Sequence, residues 1–150
     1  MKISIITISF NANDTIEKTL NSINSQSYSN IEHIIVDGGS IDGTIEICNS
    51  FSHISKIISE PDNGVYDAFN KGLKLATGDI IGFLNADDVF CNENSIQDIV
   101  DAFSNNETDI VYGNLDYVNK EGKVIRNWIS RPYEKGLVKK GWMPAHPTFY

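Results

Sequence analysis

"ISIITISF" (residues 3–10) is a β-favouring run interrupted by polar side chains only at Ser4, Thr7 and Ser9. A strand with one wet face alternates apolar and polar residues. A strand covered on both faces reads as a nearly continuous apolar run, so this stretch predicts a parallel strand inside an α/β sheet. Outward from it the elements alternate. A helix is predicted over about 14–26, with Ile16, Leu20 and Ile23 on one stripe and Asp14 and Glu17 at capping-box spacing. "IEHIIVD" (31–37) is a second strand, and "GGSIDGT" a tight turn into a helix near 43–52. "ISKIIS" (54–59) is a third strand. A helix over 64–76 follows, with Val65, Phe69, Leu73 and Ala76 as its apolar face and Gly78 placed to stop it. "DIIGFL" (79–84) is strand four, and a helix over 94–104 carries Ile96, Ile99, Val100 and Phe103 at helical spacing.

The rhythm then changes. "DIVYGNLDYV" and "KVIRNWI", joined by "NKEGK", read as a hairpin. The expected fold class is α/β: one domain over 1–150, a mainly parallel sheet flanked by helices, with a hairpin-rich C-terminal part. Strand order is not legible from periodicity. "GWMPAHPTFY" (141–150) stops on an apolar run, and a truncated chain is expected on that ground.

Bulk properties narrow the function. The chain has 150 residues, 41% of them hydrophobic, enough for one real core. Its net charge of −8 and pI of about 4.7 argue against a broad electrostatic grip on nucleic acid. Cys48 and Cys91 have neither zinc-like nor CxxC spacing and are expected as free thiols in a reducing cytoplasm. The N-terminal apolar run is too short to span a bilayer and lacks a signal-type cleavage site.

Ligands of open α/β sheets bind beyond the carboxyl ends of the strands. Those ends read "SFNAND", "DGGSIDGT", "EPDNG" and "NADD", and three of the four carry Asp at or just past the strand end. Taken singly, Asp37 and Asp42 read equally as turn residues or as site residues, since Asp, Asn and Gly serve turns and caps. The adjacent pair Asp87–Asp88 is harder to explain by packing, because neighbouring carboxylates repel unless a cation or solvent separates them. Such hard oxygen ligands suit Mg²⁺ or Mn²⁺ rather than zinc or iron.

"TISFNA", "VDGGSIDGT", "SEPDNGVYDAFNKG" and "FLNADD" stand in the order and spacing of family 2 glycosyltransferases, and the chain resembles that family from residue 3 to its last residue. It looks most like bacterial enzymes that build surface polysaccharides, in which "HPTFY"-like sequence also recurs near the acceptor side. The resemblance implies a GT-A nucleotide-sugar-binding fold, a nucleotide-sugar donor (UDP commonest), a divalent cation and an inverting transfer. It further implies a glycan or lipid-linked glycan acceptor, reached at the cytoplasmic face of the membrane with peripheral association, and no nucleic-acid partner.

Carried over by position, Ile8, Ser9, Phe10 and Asn11 border the base, Asp37 contacts it, and Gly64 lies beside it. Asp87 faces the ribose and metal, and Asp88 is the other metal ligand. Asn85 stands where many members have the first Asp of D-x-D, which leaves the division of labour among the three open. His146 and Trp142 fall on the acceptor or diphosphate side. The general base is expected beyond Tyr150, with Asp109 and Asp116 as weak candidates within the chain.

His33 and His53 read as structural. Tyr66 and Asn70 share a helix face that meets either nucleotide or solvent, and Trp128 reads either as a sugar-stacking ring or, more commonly for such a residue, as a buried anchor. Phosphoaspartyl enzymes need an Asp ending strand one, where this chain has Ser9–Phe10–Asn11. Sugar nucleotidyltransferases need a Gly- and Arg-containing loop that "NANDTIEKT" lacks. The rival from another class is an inactive nucleotide-sugar-binding module acting as a partner or regulator.

Overall fold

The computed structural model describes residues 1–105 and 108–150. Four βα units build its main body: β1 (Ile3–Ser9), α1 (Ile16–Asn24), β2 (Ile31–Asp37), α2 (Thr44–Asn49), β3 (Ile54–Ser59), α3 (Val65–Leu75), β4 (Ile80–Phe83) and α4 (Ser95–Asn105). The four strands are parallel in the order β3-β2-β1-β4. The chain thus winds outward from β1 to one edge before crossing back to the other. A separate antiparallel ribbon follows, β5 (Leu115–Val118) and β6 (Val124–Trp128), as the hairpin reading requires.

The continuous apolar runs are explained by cover on both faces. Ile3, Ile5 and Ile35 pack against α1, α2 and α4, while Ile6, Ile34 and Val36 pack against α3. Both central strands, β1 and β2, are almost wholly buried.

Two local expectations are corrected. Asp14 and Glu17 do not form a capping box: α1 begins at Ile16, and Thr15 in the cap position makes no side-chain cap bond. Instead Ala12 O accepts from the backbone N–H of Thr15 and of Ile16. The apolar face of α3 is also different. Val65 and Leu73 are exposed, whereas Phe69 and Ala76 do pack toward the sheet as expected, and the buried residues of the helix are Ala68 and Gly72. Small side chains let this helix lie close, and a Cβ on Gly72 would run into Ile6. Phe69 meets the sheet at its β4 edge, its ring centroid 4.4 Å from that of Phe83. Trp128, expected as a buried anchor, instead lies on the exposed ribbon.

Candidate functional site

Parallel register brings Ser9, Asp37 and Ser59, the last residues of β1, β2 and β3, side by side. β4 ends at the level of Ile6, and Leu84 N donates to Ile6 O (3.0 Å), so the chain then turns across the top of β1. That turn is Asn85–Asp88, closed by Asp88 N donating to Asn85 O at 3.0 Å. Thr19 Oγ1 of α1 donates to Asp88 O (2.8 Å) and ties the acidic turn to the helix.

A cleft of about 850 Å³ opens above these ends. Its lining includes Ile8, Ser9, Phe10 and Asn11 at and after the end of β1, Gly38 after β2, Asp62 and Gly64 before α3, and Asn85 and Asp87 of the acidic turn. Seven of the residues singled out from sequence therefore meet at one opening. A Cβ on Gly38 would sit 2.9 Å from Asp62 Oδ2 and 3.2 Å from the Phe10 ring, so a side chain there would displace these two movable groups. Asn11 takes a positive φ of 48°, a conformation that Asn tolerates better than most residues.

Asp37 lies beneath this surface. Its carboxylate accepts from Ser9 Oγ (2.9 Å), Ser59 Oγ (2.7 Å), Gly39 N (3.0 Å), Ser40 N (2.8 Å) and Ser40 Oγ. Burial opposes its charge, yet these donors outweigh burial and hold its pKa below the usual carboxylate value. Asp37 thus ties the ends of three strands together. Asp42 is held by Thr44 and by Asn13 N in a turn at the start of α2.

Asn85, Asp87 and Asp88 have three different environments. Asp87 is exposed and borders the cleft. Asp88 is half-buried, and its pKa is raised first by burial and then by the charge of Asp87, against the Asn85 hydrogen bond and His146. Asn85 Nδ2 donates to Asp88 Oδ2 at 3.3 Å. Asn85 Oδ1 is buried with no hydrogen-bond partner among the described residues.

A second cleft, about 700 Å³, shares Asp87 and also takes in Asp88. Its walls are α4, β5 and the segment around Tyr150. His146 lines neither cleft but lies near enough to Asp88 to favour its charge, braced by Phe69 (5.3 Å) and Phe83 (6.2 Å, nearly parallel). Trp142 is not brought to either cleft; it packs against Tyr112 (5.7 Å) and Tyr133 (6.0 Å). Tyr66 and Asn70 face solvent, which settles their helix face.

Asp116 lines the second cleft and accepts from Asn127 Nδ2 at 2.7 Å, whereas Asp109 is exposed and lines neither. His33 is fully buried between Thr7 Oγ1 (3.0 Å) and His53 (3.1 Å), a structural pair. Both cysteines are free, Cys48 buried and Cys91 exposed.

Sequence reasoning missed Thr19 and Tyr150. Thr19 reads as a helix-surface polar residue. The Tyr150 ring covers Gly82, whose Cβ would run into it, and no spacing signals a contact that distant in sequence.

The family model described as "Glycosyl transferase family 2" matches residues 4–147. The chain belongs to that family. This family 2 glycosyltransferase is 39% identical over 107 residues to an uncharacterized glycosyltransferase of Mycobacterium tuberculosis, covering 68% of this chain and 40% of the relative. A PGL/p-HBAD biosynthesis glycosyltransferase of Mycobacterium bovis is 36% identical over 117 residues, covering 75% of this chain and 46% of that one. The chain therefore spans less than half the length of these relatives.

Among solved structures, residues 1–349 of Staphylococcus aureus TarS in complex with UDP-GlcNAc superpose with a TM-score of 0.74 at 25% identity. That match covers 82% of this chain and 37% of TarS 1–349. The Pyrobaculum calidifontis mannosyltransferase solved with GDP-Man and Mn²⁺ shares the fold, with a TM-score of 0.68 at 23% identity, over 75% of this chain and 35% of that one. The fold of this family 2 glycosyltransferase is GT-A, with the sheet and helices found in those neighbours.

The oxygen donors at the rim fit a hard divalent cation. Two carboxylates and one unpartnered amide oxygen stand within one four-residue turn, and no soft ligand intrudes. Among the described residues there is no group of three or more His, Cys, Asp or Glu placed to hold a metal ion. Protein ligands alone leave such a site incomplete. Mg²⁺ and its like are commonly held by one or two carboxylates together with substrate phosphates.

Proposed function

We propose that residues 1–150 form the donor-binding domain of a glycosyltransferase. It takes a nucleotide-diphosphate sugar, with UDP as the nucleotide, and passes a hexosyl or N-acetylhexosaminyl group to a glycan or lipid-linked glycan of a bacterial surface polymer. The observation that carries this reading is the buried, unpartnered Asn85 Oδ1 at the rim of a cleft built from the carboxyl ends of the strands. Buried polar atoms in folded proteins are almost always paired, so an orphan at a cleft rim marks where a ligand group completes the structure. TarS, 25% identical and solved with UDP-GlcNAc, supports the donor class.

In this reading Ile8, Ser9, Phe10 and Asn11 hold the base, with Asp37 positioning their strand ends from below, and Gly64 leaves room at the start of α3. Asn85 Oδ1 receives a donor from the ligand. Asp87 and Asp88 hold the cation, Mn²⁺ or Mg²⁺, jointly with the diphosphate. When bound, the cation offsets charge growing on the leaving diphosphate. His146, braced beside Asp88, supplies a further hydrogen-bonding group on the diphosphate side. Transfer is inverting and needs a base for the acceptor hydroxyl; neither Asp109 nor Asp116 is assigned that role. A lipid-linked acceptor places the reaction at the inner face of the cytoplasmic membrane. Among the described residues no helix is long and apolar enough to cross that membrane.

Calorimetric titration with UDP, with and without Mn²⁺, tests the reading on wild type and on Asp87→Ala/Asp88→Ala. The expected result is metal-dependent binding that the double variant loses. A folded chain that binds neither UDP, GDP nor dTDP overturns it. Donor binding without any sugar transfer would favour the inactive binding module.

A further inference from the structure

The charge of this chain is divided unevenly. Residues 120–140 hold seven of its twelve Lys and Arg but only two of its twenty acidic residues, Glu121 and Glu134. Seven against two leaves this segment at +5, so the remainder of a −8 chain carries −13. All seven cations are exposed. Of these seven, only Arg131 is in an ion pair with another described residue, Glu134 at 2.9 Å. Arg126 lies over the Tyr117 ring, 5.3 Å from its centroid.

Large apolar side chains stand among and just after these cations: Ile125 is 67% exposed, Ile129 72%, Val138 63% and Met143 71%. The ribbon and the segment after it are tied to each other. Ser130 N donates to Asn114 Oδ1 (3.0 Å), Tyr112 OH donates to Arg131 O (3.0 Å), and Trp142 packs on both Tyr112 and Tyr133.

We propose that the surface formed by residues 120–143 docks the protein on an anionic phospholipid bilayer. The cations match the negative surface potential of such a membrane, and the interspersed apolar side chains match its interfacial region. A soluble polyanion would use the charges but leave Ile125, Ile129, Val138 and Met143 without a partner. The opposite charge of the remainder orients the molecule, turning the ribbon toward the membrane and the acidic bulk away. β5 of this ribbon also walls the second cleft, whose other side carries Asp87 and Asp88, so a docked ribbon brings a lipid-borne acceptor beside the acidic turn. Only that last consequence rests on the donor reading above; docking itself does not.

Flotation with phosphatidylcholine vesicles, with and without about one third phosphatidylglycerol, tests this on wild type and two variants. One is Lys120→Ser/Lys123→Ser/Lys139→Ser/Lys140→Ser, the other Ile125→Ser/Ile129→Ser. Wild type is expected to float only with the anionic vesicles, and each variant to lose about tenfold in affinity with its circular dichroism unchanged. Three results overturn the proposal: wild type fails to float with anionic vesicles; the isoleucine variant binds as wild type while duplex DNA competes, a generic polyanion site; or that variant changes the oligomeric state and wild type ignores lipid, an interface between copies. UDP titration on the same preparations keeps the readings apart, since vesicle binding by a chain that ignores nucleotide removes only the donor site.

Discussion

Asn85 uses its two polar atoms unequally. Nδ2 restrains Asp88, while Oδ1 is buried and unmatched among the described residues. An acceptor left in that state costs about 1–3 kcal/mol, a cost that a donor from the proposed ligand would relieve. Asn85→Leu removes it and is expected to leave the melting temperature unchanged or raised. UDP binding in Mn²⁺ should weaken about tenfold, the value of one net hydrogen bond. Unchanged calorimetric affinity would show that Oδ1 meets no ligand. Asp37 behaves in the opposite way: five donors occupy its carboxylate, so its residue type answers to the strand ends around it.

At the scale of the element, α3 shows how close approach replaces bulk. Its buried residues are Ala68 and Gly72, and β1 comes so near that Ile6 fills the space a Gly72 side chain would need. Gly72→Ala raises intrinsic helix propensity by about 1 kcal/mol. Overpacking against a buried strand opposes this gain at about 1–3 kcal/mol, and here the Cβ faces the branched body of a fully buried isoleucine rather than a movable tip. Net destabilisation is expected, read as a lower denaturant midpoint with unchanged slope. A midpoint at or above wild type would show that the helix shifts outward at no cost.

Across the whole molecule, buried ionisable groups make the fold acid-sensitive. His33 is pushed down from 6.5 to about 3 by burial and then by His53, and His53 is itself lowered by burial. Both are more easily protonated in the unfolded chain, so their neutral forms support folding above 6.5, and this support drains as pH falls from there toward 3. Glu32 adds to the same trend. Burial alone would raise its pKa, but Ser4, Lys2 and Thr77 hold it at about 2 against an ordinary 4.5. Its contribution is complete above 4.5 and lost as pH falls toward 2. Chemical denaturation from pH 7 to 4 should therefore show stability falling with acid, and His53→Asn should flatten the upper part of the fall. A flat profile in wild type would contradict the burial of this pair.

The sequence by itself determined the α/β class, the four βα units, the hairpin and the acidic turn, because these follow from local pattern: continuous apolar runs for strands covered twice, helical spacing, and turn residues at strand ends. It also placed Ile8, Ser9, Phe10, Asn11, Gly64, Asn85 and Asp87, which the structure brings to one cleft. Tertiary structure alone decided the strand order, the true contact face of α3 and the burial of Asp37. It alone separated His146, beside Asp88, from Trp142, tied to Tyr112 and Tyr133. Each of these depends on neighbours tens of residues away in the chain. Periodicity reports which side of an element is apolar; packing decides which neighbour it meets and how closely.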